Sequence, residues 1–258
     1  MNNNQIHSLG IDVGSTTTKI VATDDSQKII WHRVEQTEPL IEKQVSRLLG
    51  QAADFDTSAR RAPLGATGYG RKLVNQAHHH VTEIKCHALG AFRDMGHGGT
   101  LIDIGGQDSK VITIDETGGV TNFVMNDKCA AGTGRFLENT AARLQIPIDD
   151  MGTIALSTTE MVPISSTCVV FAESEIISLI AHGTPIDQIV RGVHYSLIAR
   201  VTSLVRSCGH DSCAILTGGV ARNRAISAFL EEKLSIEIRL PKLPQLMGAY
   251  GAALVAMN

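Results

Sequence analysis

The stretch Ile11-Asp12-Val13-Gly14-Ser15-Thr16-Thr17-Thr18-Lys19-Ile20-Val21 governs how the rest of the chain is read. It returns, altered, as Ile102-Asp103-Ile104-Gly105-Gly106-Gln107-Asp108-Ser109-Lys110-Val111-Ile112. Each copy runs an apolar strand into an aspartate, turns on glycine with small polar residues, and leaves along a β-branched strand. An imperfect repeat of this kind predicts two lobes of similar design. It also predicts chemistry. An aspartate at a strand end beside a glycine turn sits among unpaired backbone N–H groups. Those amides can cradle phosphate oxygens, and the carboxylate can hold a hydrated magnesium ion. Three features separate this from an ordinary polar hairpin: the duplication, the aspartate retained in both copies, and the later turn Thr217-Gly218-Gly219-Val220. That turn puts glycine amides at a strand-to-helix junction, a ready phosphate site.

Working outward, the periodicity predicts helices over residues 40–53 and 83–95 with a strand over 63–70 between them. After the second copy it predicts helices over 134–144, 169–181 and 186–208, a short buried strand at 214–216 and a helix from about Arg222. A last helix over 245–257 carries Gly248, Ala249, Gly251, Ala252 and Ala253, small enough to pack closely on a neighbour. This alternation is an α/β layered architecture. The expected organisation is an N-terminal lobe over residues 1–95, completed by 245–258, and a C-terminal lobe over 96–244.

The composition excludes several classes. A net charge of -3, with no cluster of Lys and Arg, argues against a nucleic-acid partner bound through a broad basic surface. The opening Met1-Asn-Asn-Asn-Gln-Ile-His lacks the regions of a secretory signal, and no run approaches the ~20 apolar residues of a membrane span, so a cytoplasmic protein with no membrane partner is expected. The 5 cysteines, Cys86, Cys129, Cys168, Cys208 and Cys213, are too few and too scattered for a disulfide framework. Cys86 reads as core packing. Cys208 and Cys213 bracket Gly-His-Asp-Ser but lack the second half of a closed zinc site. His78-His79-His80 reads as a solvated turn. Neither a G-x-x-x-x-G-K-[ST] loop nor a G-x-G-x-x-G turn opening a βαβ unit is present.

The segments Gly10-Ile11-Asp12-Val13-Gly14-Ser15, Asp103-Ile104-Gly105-Gly106-Gln107, Thr217-Gly218-Gly219-Val220 and Gly248-Ala249-Tyr250-Gly251-Ala252 resemble, in order, the two phosphate motifs, the adenosine motif and a connecting motif of the actin/Hsp70/hexokinase superfamily. The resemblance implies an α/β, two-lobed, ribonuclease H-like ATPase fold with duplicated βββαβα-type subdomains, binding ATP or ADP with Mg2+. On that reading Asp12 and Asp103 hold the magnesium shell. Gly14, Ser15, Thr16, Thr17, Thr18, Ile104, Gly105 and Gly106 line the phosphates, and Lys19 adds a positive charge. Gln107 positions the attacking water, with Asp108 as the alternative. Thr217, Gly218, Gly219, Ala221 and Gln245 line the nucleoside pocket.

A narrower resemblance covers nearly the whole chain. The runs Asn126-Asp127-Lys128-Cys129-Ala130-Ala131-Gly132-Thr133-Gly134-Arg135-Phe136 and Ser165-Ser166-Thr167-Cys168-Val169-Val170-Phe171-Ala172-Glu173-Ser174-Glu175 are similar to the cluster-binding segments of the 2-hydroxyacyl-CoA dehydratase activators, the BadF/BadG/BcrA/BcrD-type ATPases. Asp103 to Lys110, Ala66-Thr67-Gly68-Tyr69-Gly70-Arg71 and Glu83-Ile84-Lys85-Cys86-His87-Ala88 resemble that family too. The likeness implies that Cys129 and Cys168 ligate a 4Fe-4S cluster at the two-fold interface of a homodimer. Two thiolates from each of two chains then make the usual four. Spacing alone does not show this, since the two lie far apart. Both precede helical patterns, so helix N-termini would face the anionic cluster, and Gly132 and Thr133 would connect it to the nucleotide. The implied function is an oxygen-sensitive, ATP-hydrolysing electron-transfer activator. It would reduce a 2-hydroxyacyl-CoA dehydratase or related reductase and be fed by a donor such as ferredoxin or flavodoxin. The rival is a small-molecule kinase of the same fold, which predicts phosphate transfer to a sugar or acid and no bound iron.

Overall fold

The computed structural model describes residues 5–165 and 168–257; Ser166 and Thr167 of the second cysteine segment lie outside them. The first repeat is a hairpin of β1 (Ser8–Val13) and β2 (Thr17–Thr23), antiparallel, with Asp12 opposite Lys19. Every residue of β1 is buried, which is why the strand reads as an unbroken apolar run up to Asp12. Next to β2 lies β3 (Ile29–Gln36), also antiparallel. Helix α1 (Ile41–Phe55) buries Val45, Leu48 and Ala52, spaced to share one face. That face belongs to the core cluster of Ile11, Ile20 and Trp31. On the other side of β1, β4 (Leu64–Thr67) and the two-residue β5 (His79–His80) add in parallel, so the sheet runs β3-β2-β1-β4-β5. Helix α2 (Glu83–Met95) then stops at Gly96, whose φ of 76° is the left-handed cap that glycine adopts without strain.

The second sheet repeats the plan. It is built from β6 (Gly99–Ile104), β7 (Ser109–Ile114) and β8 (Val120–Asn126), followed much later by β9 (Cys213–Thr217) and β10 (Glu237–Arg239). Its order, β10-β9-β6-β7-β8, is the first sheet's order read from the opposite edge, with β9 parallel to β6 and β10 parallel to β9. The helices of this part are α3 (Gly134–Leu144), α4 (Met151–Leu156), α5 (Val169–Ala181), α6 (Ile186–Cys208) and α7 (Arg224–Leu234). One core joins Ile102 and Ile104 of β6 to Phe136, Val193, Leu197 and Phe229. The last helix, α8 (Met247–Ala256), belongs with the first sheet. The chain thus forms two compact units. One is the chain up to Gly98 with Ile114–Thr121 and everything from Gln245; the other is Gly99–Thr113 with Asn122–Pro244. Among the described residues no helix is long and apolar enough to cross a membrane.

Two helix starts differ from the sequence reading. The helix expected from Arg222 begins at Arg224, because Asn223 is the N-cap and its Oδ1 accepts from Ala225 N–H at 3.0 Å. The last helix begins at Met247, because Pro244–Leu246 winds as a 3-10 turn.

Asn223 also faces a buried histidine. His194 of α6 is fully buried, with Nδ1 2.7 Å from the Val190 carbonyl and Nε2 2.9 Å from Asn223 Nδ2. A carbonyl can only accept and an amide nitrogen only donate, so the neutral Nδ1-H tautomer satisfies both contacts. Burial pushes the imidazole down to about 4. A histidine whose folded value lies below the ordinary one leaves the native state with fewer protons than the unfolded chain in the interval between the two. Its contribution is complete above about pH 6.5 and is lost as pH falls toward 4, roughly 3 kcal/mol in all. Urea unfolding of wild type and His194→Gln between pH 7.5 and 5 should show wild type losing stability faster; parallel loss would remove His194 as the cause.

Candidate functional site

Each repeat closes its turn by the same bond. Gly14 N–H donates to the Thr17 carbonyl at 3.1 Å, and Gly105 N–H to the Asp108 carbonyl at 2.9 Å. Each also carries the same ion pair. Asp12 and Asp103 are 4% and 2% exposed. Lys19 Nζ lies 3.3 Å from Asp12 Oδ2, and Lys110 Nζ lies 3.3 Å from Asp103 Oδ2. The pairing follows from hairpin register, since Lys19 is the cross-strand partner of Asp12. Asp12 is tightly enclosed. Gly68, at φ 86°, approaches so closely that a Cβ there would fall 2.4 Å from Asp12 Oδ1, and one on Gly248 would fall 3.0 Å from Oδ2. Only glycine fits at Gly68 on both counts.

The turn residues divide into two groups. Ser15 is exposed, Gly14, Thr16, Thr17, Gly105 and Gly106 are half-buried, and Gln107 is exposed. Thr16 Oγ1 is buried with no hydrogen-bond partner among the described residues, an orphan donor that a phosphate oxygen would satisfy. Thr18 corrects the expectation: its hydroxyl is buried and bonded to Thr37 Oγ1 at 3.0 Å and to Gln44 Oε1 at 3.2 Å. It therefore ties β2 to α1 and leaves no donor for a ligand. In the adenosine motif, Thr217 is also committed, its Oγ1 donating to Asp103 Oδ1 at 3.0 Å. Gly218 adopts φ 90°, and a Cβ there would collide with the Ile104 carbonyl at 2.2 Å. Ile104 is itself fully buried, so its backbone and not its side chain borders the motif. Gly219 is exposed, with no atom within 4 Å of where a Cβ would stand, leaving its face open to a ligand. Ala221 is buried behind it, and Gln245 is half-buried in the 3-10 turn before α8.

The cysteines occupy two different settings. Cys129 is half-buried, and its backbone is held by one side chain: Asn126 Nδ2 donates to the Cys129 carbonyl at 2.8 Å, and Cys129 N–H donates to Asn126 Oδ1 at 3.1 Å. The helix expected over residues 134–144 forms at those residues. A 3-10 turn, Ala130–Gly132, intervenes, and α3 begins at Gly134. The two residues after Gly132 and Thr133 bond to the Gly105-Gly106 turn. Gly134 N–H donates to the Gly105 carbonyl and Arg135 N–H to the Gly106 carbonyl, both at 2.9 Å. Cys168 is exposed at the N-cap of α5, next to Val170 and Phe171, each 68% exposed. The other cysteines pack. Cys86 is buried, and burial pushes its thiol up to about 12. Cys208 Sγ lies 3.6 Å from Thr113 Oγ1. Burial also raises the Cys213 thiol. Among the described residues no group of three or more His, Cys, Asp and Glu side chains is set to hold a metal ion.

Comparison with known proteins decides the family. The model of the BadF/BadG/BcrA/BcrD ATPase family matches residues 9–256. The chain belongs to this family. Among its members, the (R)-2-hydroxyglutaryl-CoA dehydratase activating ATPase of Acidaminococcus fermentans is 42% identical, over 97% of this chain and 97% of its own. The 2-hydroxyisocaproyl-CoA dehydratase activator of Clostridioides difficile is 38% identical, over 98% of this chain and 96% of its own. A solved structure of the Clostridium difficile activator with bound ADPNP superposes with TM-score 0.91 at 40% identity, covering 97% of this chain and 94% of that one. A ROK family glucokinase from Streptomyces griseus, TM-score 0.60 at 14% identity over 96% of this chain and 98% of its own, shares the fold alone. As a member of the BadF/BadG/BcrA/BcrD ATPases the chain carries the actin/Hsp70/hexokinase-like ATPase fold that the resemblance of its motifs implies.

Lys110, Asn126 and the Gly134–Arg135 amides went unassigned in the sequence reading. The repeat itself could have flagged Lys110, which aligns with Lys19. Asn126 stands three residues before Cys129, the spacing of a local side-chain-to-backbone turn. Nothing in the sequence points to backbone bonds between Gly105-Gly106 and α3.

Proposed function

We propose that this chain is an ATP-hydrolysing activator that passes electrons to a 2-hydroxyacyl-CoA dehydratase or a related acyl-CoA reductase. Two copies hold one 4Fe-4S cluster through Cys129 and Cys168 of each. The observation that carries the proposal is the likeness, at 42% identity over 97% of the chain, to a protein named as a dehydratase activating ATPase.

The chain's own residues suit that work. Ser15, Thr16 and Thr17 with the Gly14 turn, and Gly105 with Gly106, supply amide and hydroxyl donors to a triphosphate. Asp12 and Asp103 offer the hard carboxylate oxygens that hydrated magnesium takes, and the ion would neutralise charge on the phosphates. Gln107, with Asp108 as the alternative, would hold a water for in-line attack. The water oxygen bonds to the terminal phosphorus, the bond to the bridging oxygen breaks, ADP leaves with that electron pair, and the water's proton passes to the phosphate. Cys129 and Cys168 fit a shared cluster on two grounds. Both are cap residues, Cys129 of the 3-10 turn and Cys168 of α5, whose first amides favour an anion. Cys168 is also exposed beside apolar Val170 and Phe171, as a thiol that meets a second chain must be. When bound, the cluster supplies one-electron chemistry. Asn126 keeps Cys129 in position, and the Gly134 and Arg135 amides tie that segment to the phosphate turn. A donor such as ferredoxin or flavodoxin would supply the electron, and cytoplasmic residence fits a protein that oxygen would damage.

Oxygen-free purification followed by iron and sulfide analysis tests the proposal. A brown protein with about four irons per two chains, bleaching in air, is expected. Colourless material that transfers phosphate to a sugar would instead support the kinase of the same fold.

A further inference from the structure

The two Asp–Lys pairs match in register but not in setting. The side chain of Lys19 is 16% exposed, and Asp12 is the carboxylate beside it. The side chain of Lys110 is 3% exposed, and its Nζ serves two carboxylates, Asp103 Oδ2 at 3.3 Å and Asp108 Oδ2 at 2.7 Å. The other oxygen of Asp103 is also taken up: Oδ1 accepts from Thr217 Oγ1 at 3.0 Å. Asp103 is thus gripped at both oxygens, by the second phosphate motif through Lys110 and by the adenosine motif through Thr217.

We propose that Lys110 is the positioning residue of the second phosphate motif. It fixes Asp103 for the magnesium shell and withdraws Asp108 from water activation, which leaves that task to Gln107. The inference rests on the ATPase reading above and goes beyond it by giving Lys110 a role and by choosing between Gln107 and Asp108. The physical argument is one of charge and freedom. An ammonium this deeply buried is retained only when paired, and here the pairing fixes the two acids of the turn. Asp108 Oδ2 is held 2.7 Å from that ammonium, which turns this carboxylate toward Lys110. Gln107 is exposed at the same turn.

The test is steady-state ATP hydrolysis by the full-length protein, titrated separately with Mg2+ and with ATP. Lys110→Met, close in volume and uncharged, should lower kcat about 10- to 100-fold and raise the Mg2+ half-saturation point by a similar factor, the scale for a residue that orients a metal's ligand. Asp108→Asn should act mainly on Mg2+ dependence, and Gln107→Ala mainly on kcat. The double variant Lys110→Met/Asp108→Asn should lose less than the product of the single losses, because each change removes the other's partner. Lys110→Met with wild-type kcat and Mg2+ response would overturn the proposal, as would single losses that simply multiply. If Lys110→Met does not fold, judged by circular dichroism, Asp108→Asn alone decides: an unchanged Mg2+ response overturns it. Wild type without Mg2+-dependent hydrolysis removes the ATPase reading and the proposal together. Hydrolysis insensitive to these changes removes the proposal alone.

Discussion

Cys168→Ser is expected to strip iron from the anaerobically purified protein, lowering bound iron more than about tenfold, while ATP hydrolysis continues. Serine supplies a hard, poorly ionised oxygen where an iron-sulfur cluster takes a soft thiolate. Cys168 is exposed and caps α5 without a side-chain hydrogen bond, so the change disturbs neither packing nor capping. Cys129→Ser should behave alike, because the bonds from Asn126 engage the Cys129 backbone and not its sulfur. Iron analysis with gel filtration under nitrogen gives the answer. If both variants keep their iron, the shared-cluster assignment is lost. If they lose iron and also elute as single chains where wild type elutes as two, the cluster joins the copies.

The largest effect on stability is expected at Gly251. A Cβ there would fall 1.9 Å from the Cys86 carbonyl of α2, and one on Gly90 of α2 would fall 2.2 Å from the Met247 carbonyl of α8. The two helices therefore touch backbone to backbone at both points. Such atoms cannot rotate away as a side chain could, and the helices must separate. Gly251→Ala should cost about 3 kcal/mol or more, lowering Tm by roughly 6–12 °C in a chain of this size. Gly50 supplies the opposite control. It lies inside α1 with nothing within 4 Å of a Cβ, so Gly50→Ala should stabilise by roughly 0.5–1 kcal/mol. Thermal melts of the two variants should move in opposite directions. A Gly251→Ala protein that melts like wild type would show that α8 does not pack on α2 in this way.

The close packing of α8 was legible from its run of small residues, and the doubled sheet from the repeat around Asp12 and Asp103. Helices α2, α3, α5 and α6 were also legible, because their apolar positions recur at helical spacing over many turns. What stayed hidden has a common cause. Strand β8 carries mixed residues exposed along much of its length, so it offers no alternating pattern. Helix α4 spans only 6 residues, too short for periodicity to emerge. Thr18 reads like its neighbours Thr16 and Thr17, and only the fold turns it toward Gln44. Lys110 could be aligned with Lys19, but its second carboxylate is a matter of burial depth, which no spacing encodes.

The contact between Gly105-Gly106 and the start of α3 has an evolutionary consequence. Amide and carbonyl groups make both links, so replacing a side chain does not delete either one. A lineage could recolour the protein's surface and exchange the side chains around the turn. Throughout, any shift of the glycine turn would still be felt at the first turn of the helix that follows Cys129.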